Sequence, residues 1–134
     1  MRMVAVTFLF LGVCVISANA QLTVKQYQEF VKSASTLPES DNGRQLPELY
    51  IKGIGEGLSW ANTYLAVKHQ ELLFCAPEKL GLDAKNYQQL LETFLPVARK
   101  MKLAISTPVD EMSVANLLAF ALIDAFPCNK GAKQ

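Results

Sequence analysis

Val114–Cys128 reads VANLLAFALIDAFPC, and this stretch decides the fold class. Apolar residues run almost all round a 3.6-residue repeat from Val114 to Ile123, which predicts a helix buried among others. Upstream, Thr107 suits an N-cap and Pro108 a first helical position. Asp110 and Glu111 then sit where the positive helix end favours acids. The expected helix spans Pro108 to Ala125; Pro127 stops it and Cys128 follows.

Working outward, the rest of the chain also reads as helices. Asp83 is an expected N-cap for a helix carrying Tyr87, Leu90, Leu91, Phe94 and Leu95 inward. Pro96 predicts a kink or a restart before Met101. A longer helix is expected from Pro47, with Leu49, Tyr50, Gly53, Ile54, Gly57, Leu58, Ala61 and Leu65 along one face, continuing until Pro77 stops it just after Cys75. Gly53, Gly55 and Gly57 would each cost about 1 kcal/mol relative to Ala in a helix. Gly53 and Gly57, four apart, are therefore read as the site of a tight helix crossing. A phosphate-binding loop would need a preceding strand and a Lys-Ser/Thr ending, and neither is present. The first helix starts at a capping box, Thr23 with Gln26, carries Val24, Tyr27, Phe30, Val31 and Ala34 inward, and ends near Ser35. Thr36–Gln45 (TLPESDNGRQ) is a loop rich in turn formers. Nothing alternates as a strand does. The expectation is an all-α domain of about four main helices.

The N-terminus has a different character. Met1–Arg2 is a short positive start, Val4–Ile16 is a thirteen-residue apolar run, and Ser17-Ala18-Asn19-Ala20 precedes Gln21. These are the parts of a secretory signal peptide over residues 1–20, cut between Ala20 and Gln21, and the run is too short to span a bilayer. Leu11-Gly12-Val13-Cys14 loosely resembles a lipid-attachment box, but Val13 is larger than the residue such a box carries, so export without a lipid anchor is the reading. The expected mature chain, Gln21–Gln134, is one domain of 114 residues in the periplasm. It holds 12 basic and 12 acidic side chains, which disfavours a nucleic-acid partner. It has no second long uncharged apolar run, which disfavours a membrane span.

Cleavage would remove Cys14 and leave Cys75 and Cys128 where disulfides persist. Bridging them closes a loop of 54 residues counting both, worth about 4 kcal/mol by loop-closure entropy. Redox-active pairs sit close together as Cys-x-x-Cys, so the bridge reads as structural. His69 is the one histidine. Without partners at ligand or triad spacing it reads as an exposed helical residue, so no metal, cofactor or catalytic group is expected. Trp60 and Tyr64, four apart, read as core or partner packing, with an aromatic ligand spot as the alternative.

The order of these features resembles a known family. Leu49-Tyr50-Ile51-Lys52-Gly53-Ile54 opens the long helix, Gly57-Leu58 follows, Phe74-Cys75-Ala76-Pro77 closes it, and Leu118–Cys128 (LAFALIDAFPC) ends the domain. This is similar to the Rap/Tai family of periplasmic immunity proteins over Leu46–Cys128. The resemblance implies a helical domain with Cys75 and Cys128 bonded, a homodimer, and protection against a peptidoglycan amidase toxin of a type VI secretion system. Inhibition would work by occluding the toxin's active-site cleft rather than by chemistry. Expected contact segments are Pro38–Arg44 and Lys102–Thr107, with Glu39, Asp41, Arg44 and Lys102 as candidate residues; the plainer reading of both is a solvated connector. The alternative function is a small periplasmic acid-stress chaperone that exposes apolar surface as its carboxylates protonate.

Overall fold

The computed structural model describes residues 21–77, 80–101 and 107–128; the expected leader with Cys14 and Ala20, and also Lys102, lies outside them. The described residues form four α-helices: α1 Val24–Ser35, α2 Leu46–Val67, α3 Ala84–Lys100 and α4 Val114–Ala125. Short 3-10 turns at Asn42–Gln45 and Val109–Glu111 precede α2 and α4. The fold is all-α with one disulfide, Cys75–Cys128.

Side chains fix most helix starts. Thr23 and Gln26 form the expected capping box on α1, each accepting from the other's backbone N–H. Asp83 and Asn86 do the same on α3. Ser113 caps α4 by accepting from Asn116 N–H. The start expected at Pro108 is corrected: Val109–Glu111 is a 3-10 turn, and Met112 is extended. The reason is a tie to α1. Val24 N–H donates to Met112 O at 2.9 Å and Val114 N–H to Leu22 O at 3.0 Å, which pairs Thr23 with Ser113 in an isolated antiparallel bridge. A helix running through Met112 would forfeit both bonds.

α4 supplies Val114, Leu117, Leu118, Ala121 and Leu122 to the core, where they meet Val24 and Tyr27 of α1, Ile51 of α2, and Tyr87, Leu91, Phe94, Leu95 and Ala98 of α3. Its far side is less buried than an all-round pattern suggests, since Asn116 and Ile123 reach solvent. α3 runs unbroken through Pro96. Pro96 lies on the exposed side, where water can serve the Glu92 carbonyl that loses its backbone donor. Arg99 ties the end of α3 to the turn before α4, donating to Asp110 Oδ1 from Nη2 at 2.6 Å. Both partners are half-exposed, so the pair positions more than it stabilises.

α2 departs from the sequence reading in two ways. Its inner face is set by Ile51 and Gly55, with Ile54 and Leu58 packed beside them. Leu49, Gly53 and Gly57 point the other way. The close approach is at Gly55, where a Cβ would overlap the Tyr87 ring, whereas a Cβ at Gly53 or Gly57 would meet nothing within 4 Å. The helix is also shorter than expected. Gln70 N–H donates to Leu65 O at 2.9 Å and His69 N–H to Ala66 O at 3.0 Å, the two bonds of a Schellman stop. His69 occupies its left-handed position, with φ 54°, a place usually taken by Gly. His69 is thus exposed as a helix stop, not as part of a helical face.

Tyr27 is buried against Tyr50, with ring centroids 6.1 Å apart. Its hydroxyl has no hydrogen-bond partner among the described residues. Burial, and then the Glu92, Glu48 and Tyr50 charges, push its pKa from 10.0 up to about 12. A folded pKa above the unfolded one contributes stability that is intact below about pH 10 and lost as pH rises towards about 12.

Two predictions follow from this packing. Gly55→Ala should lower stability by about 1–3 kcal/mol through overpacking, while Gly53→Ala leaves the fold's own stability unchanged or raised; thermal unfolding of the two variants separates them. Tyr27→Phe should cost little at neutral pH, because no hydrogen bond to a described residue is lost. It should also flatten the alkaline fall in stability, as measured by urea unfolding between pH 9 and about pH 12.

Candidate functional site

Two adjoining surface features are built on α2. The first is a groove of about 580 Å³ between α2 and the return segment towards α3. Glu56, Ser59, Trp60 and Thr63 form its helical wall, Phe74, Ala76, Leu80 and Leu82 the opposite one, with Tyr87 also lining it. Ser59 and Tyr87 share a hydrogen bond between hydroxyls 3.3 Å apart, so the two helices bearing the groove are tied at its base.

The opposite wall is not helical, and its shape comes from three attachments. Asn62 works from both ends of its amide: Nδ2 donates to Phe74 O at 2.7 Å, and Oδ1 accepts from Leu73 N–H at 2.8 Å. Cys75 N–H donates to Phe126 O at 2.8 Å, just past the end of α4. The Cys75–Cys128 bond then joins the same places covalently, with Cα atoms 5.0 Å apart. The side chain of Phe74 is buried in the core as a result.

The second feature is a ridge on the outer face of α2. Leu46, Leu49, Gly53, Gly57, Trp60, Tyr64 and Val67 recur at spacings of three and four residues, which places them within roughly 100° of the helix circumference. Trp60 is 75% exposed, and the exposure of Leu46, Leu49, Tyr64 and Val67 lies between 49% and 68%. Scattered exposed leucines are ordinary, but a continuous apolar face is not. Lys52 and Glu56 flank it as a pair 3.7 Å apart, and Lys68 Nζ sits 5.6 Å from the centre of the Tyr64 ring. Trp60 belongs to both features and joins them.

The residues expected to contact a partner fall elsewhere. Asp41 and Arg44 shape the α1–α2 connection itself: Asp41 Oδ1 accepts from Gly43 N–H at 2.7 Å, and Arg44 Nη1 donates to Leu37 O at 3.4 Å. Glu39 is exposed on the same connection. The structure therefore brings Glu39, Asp41 and Arg44 together in one exposed connection but does not place them in the groove, while Lys102 lies outside the described residues. Trp60, read in sequence as core or partner packing with an aromatic ligand spot as the alternative, is the most exposed large side chain of the ridge. Its signal was the second series of apolar positions along α2, offset from the series that faces the core.

Among the described residues no cluster of His, Cys, Asp or Glu is arranged to hold a metal ion, and no helix is long and apolar enough to cross a membrane. Compared with protein-family models, curated proteins and solved structures, the chain matches none.

The groove wall should depend on its covalent attachment. Replacing both Cys75 and Cys128 by Ala should lower unfolding stability by about 4 kcal/mol. Trp60 emission should also report a changed groove in the variant before global unfolding; an unchanged denaturation midpoint would show that the bridge adds nothing.

Proposed function

We propose that this protein is a periplasmic binding module of the immunity type, which blocks a peptidoglycan amidase toxin of a type VI secretion system and acts as a homodimer. The observation that carries the binding reading is the apolar ridge joined to a groove on a braced helical frame. Aromatic and aliphatic groups presented on a rigid scaffold are the usual anchors of protein–protein recognition, because ordering them on binding costs little. The toxin assignment rests on the run of motifs from Leu49-Tyr50 through Phe-Cys-Ala-Pro to the terminal Phe-Pro-Cys. The bonded state of Cys75 and Cys128 agrees with that resemblance and with an oxidising compartment. Inhibition by such a module is steric. The exposed α1–α2 connection, with its fixed turn at Asp41–Gly43, has the form of an element that enters an enzyme cleft, and the groove can receive a side chain from the enzyme's rim.

The test is co-purification with candidate secreted peptidoglycan amidases, disulfide intact, together with an assay of peptidoglycan cleavage. A specific complex that abolishes cleavage is the expected result. Paired charge reversals, Glu39→Lys with Arg44→Glu, should weaken it by about tenfold or more if the connection is the contact. If no amidase binds, and unrelated unfolded proteins are retained only near pH 3, the chain is an acid-stress chaperone instead.

A further inference from the structure

We infer that the outer ridge of α2 is self-complementary and that two copies of the chain pair through it, α2 against α2, antiparallel about a two-fold axis between Glu56 and Gly57. The inference deepens the homodimer of the proposed function and does not depend on the toxin.

The spacing of the ridge carries it. Read from either end of α2, Leu46, Leu49, Gly53, Trp60, Tyr64 and Val67 recur at the same spacings of three, four, seven, four and three residues, while Gly57, beside the axis, comes level with Glu56. In an antiparallel pair centred between residues 56 and 57, Leu46 comes level with Val67 of the other copy, Leu49 with Tyr64, and Gly53 with Trp60. A two-fold interface requires this, since each contact must occur twice with its members exchanged. Side-chain size is matched as well as position. Trp60, the largest and most exposed ridge residue, lies level with Gly53, where the surface has a gap with no heavy atom within 4 Å of a would-be Cβ. One helix thus offers a knob where the other offers a hole, twice over. This also accounts for Gly53, whose helix-propensity cost has no return within a single copy.

Charge and area agree. The seven ridge residues are uncharged. Glu56 stands beside the axis, but Lys52 already neutralises it on the same helix at 3.7 Å. The 22 residues of α2 span about 33 Å. A contact strip along that length buries roughly 500 Å² per copy, or about 1,000 Å² in total, at the threshold for a biological interface and in the range of weak, reversible pairs. Because Glu56, Trp60 and Thr63 also line the groove, the second copy would form the groove's outer rim.

Single-cysteine cross-linking tests the arrangement on the otherwise intact protein, all the substituted positions being exposed. Gly57→Cys lies next to the axis and should form a disulfide with its own copy. Leu46→Cys alone should not, and Leu46→Cys combined with Val67→Cys should. Sedimentation should give a dimer whose dissociation constant rises at least about tenfold in Gly53→Leu, which fills the hole, and in Trp60→Ala. The emission of Trp60, the one tryptophan in the chain, should move to shorter wavelength as concentration increases through the dimerisation range. A dimer indifferent to Gly53→Leu and not linked by Gly57→Cys would overturn this interface while leaving a homodimer standing. Self-linking by Leu46→Cys would mean a parallel pair and would also overturn it. A monomer at all concentrations removes both the interface and the homodimer, whether Trp60 emission is exposed or already shielded by the chain's own residues; amidase binding is read separately.

Discussion

The structure depends on how the segment after α2 is brought back to the domain. Gln70–Pro77 forms no helix, yet it must carry Phe74 into the core. A non-helical segment has few internal backbone bonds, so its polar groups need partners elsewhere. Asn62 supplies two of them from α2, and Phe126 O a third from beyond α4. The disulfide then fixes the segment to the chain's other end. With this return held, Phe74 closes the core, and Ala76, Leu80 and Leu82 stand opposite α2 as a groove wall. Without it, the core would lose Phe74 and the groove its wall opposite α2.

That dependence shows why the fold was legible in outline. Thr23 with Gln26, Asp83 as a cap, and the apolar run of Val114–Ile123 each specify a local structure on their own. The two cysteines of the expected mature chain have one intramolecular pairing. These signals are local or exhaustive, and they were sufficient for an all-helical domain with one bridge. The restart that Pro96 allows does not occur, because its cost depends on exposure: on the outer side of α3 water can replace the missing donor, and the helix does not break. The start of α4 misleads for the opposite reason. Thr107–Pro108 is a sound local signal, but Met112 and Leu22, ninety residues apart, exchange backbone bonds with the starts of α1 and α4, and a long-range tie overrides a local preference.

The face of α2 was the part least legible. Tyr50, Ile54, Leu58 and Leu65 mark a core-facing series, while Leu49, Gly53, Gly57 and Trp60 mark another, and a helix apolar on two sides does not reveal which side is buried. The end of the helix was equally hidden. His69 takes a left-handed conformation that sequence readers assign to Gly or Asn, so the stop before Cys75 carried no residue-type signal.

Those two blind spots lie together, and the reason is physical. A helix buried on one side normally turns a polar stripe to water, and periodicity identifies its inner face by contrast. α2 gives up that contrast, placing Trp60, Tyr64 and Val67 outward and keeping two glycines among them that its own fold does not use. Exposed aromatic surface favours association and glycine weakens a helix, so a chain carrying both has stability and solubility costs that folding alone does not offset. A second surface over the ridge, as proposed, would offset both costs. Local rules that fail in one place, while holding at every cap and in the core, point to where a protein meets another.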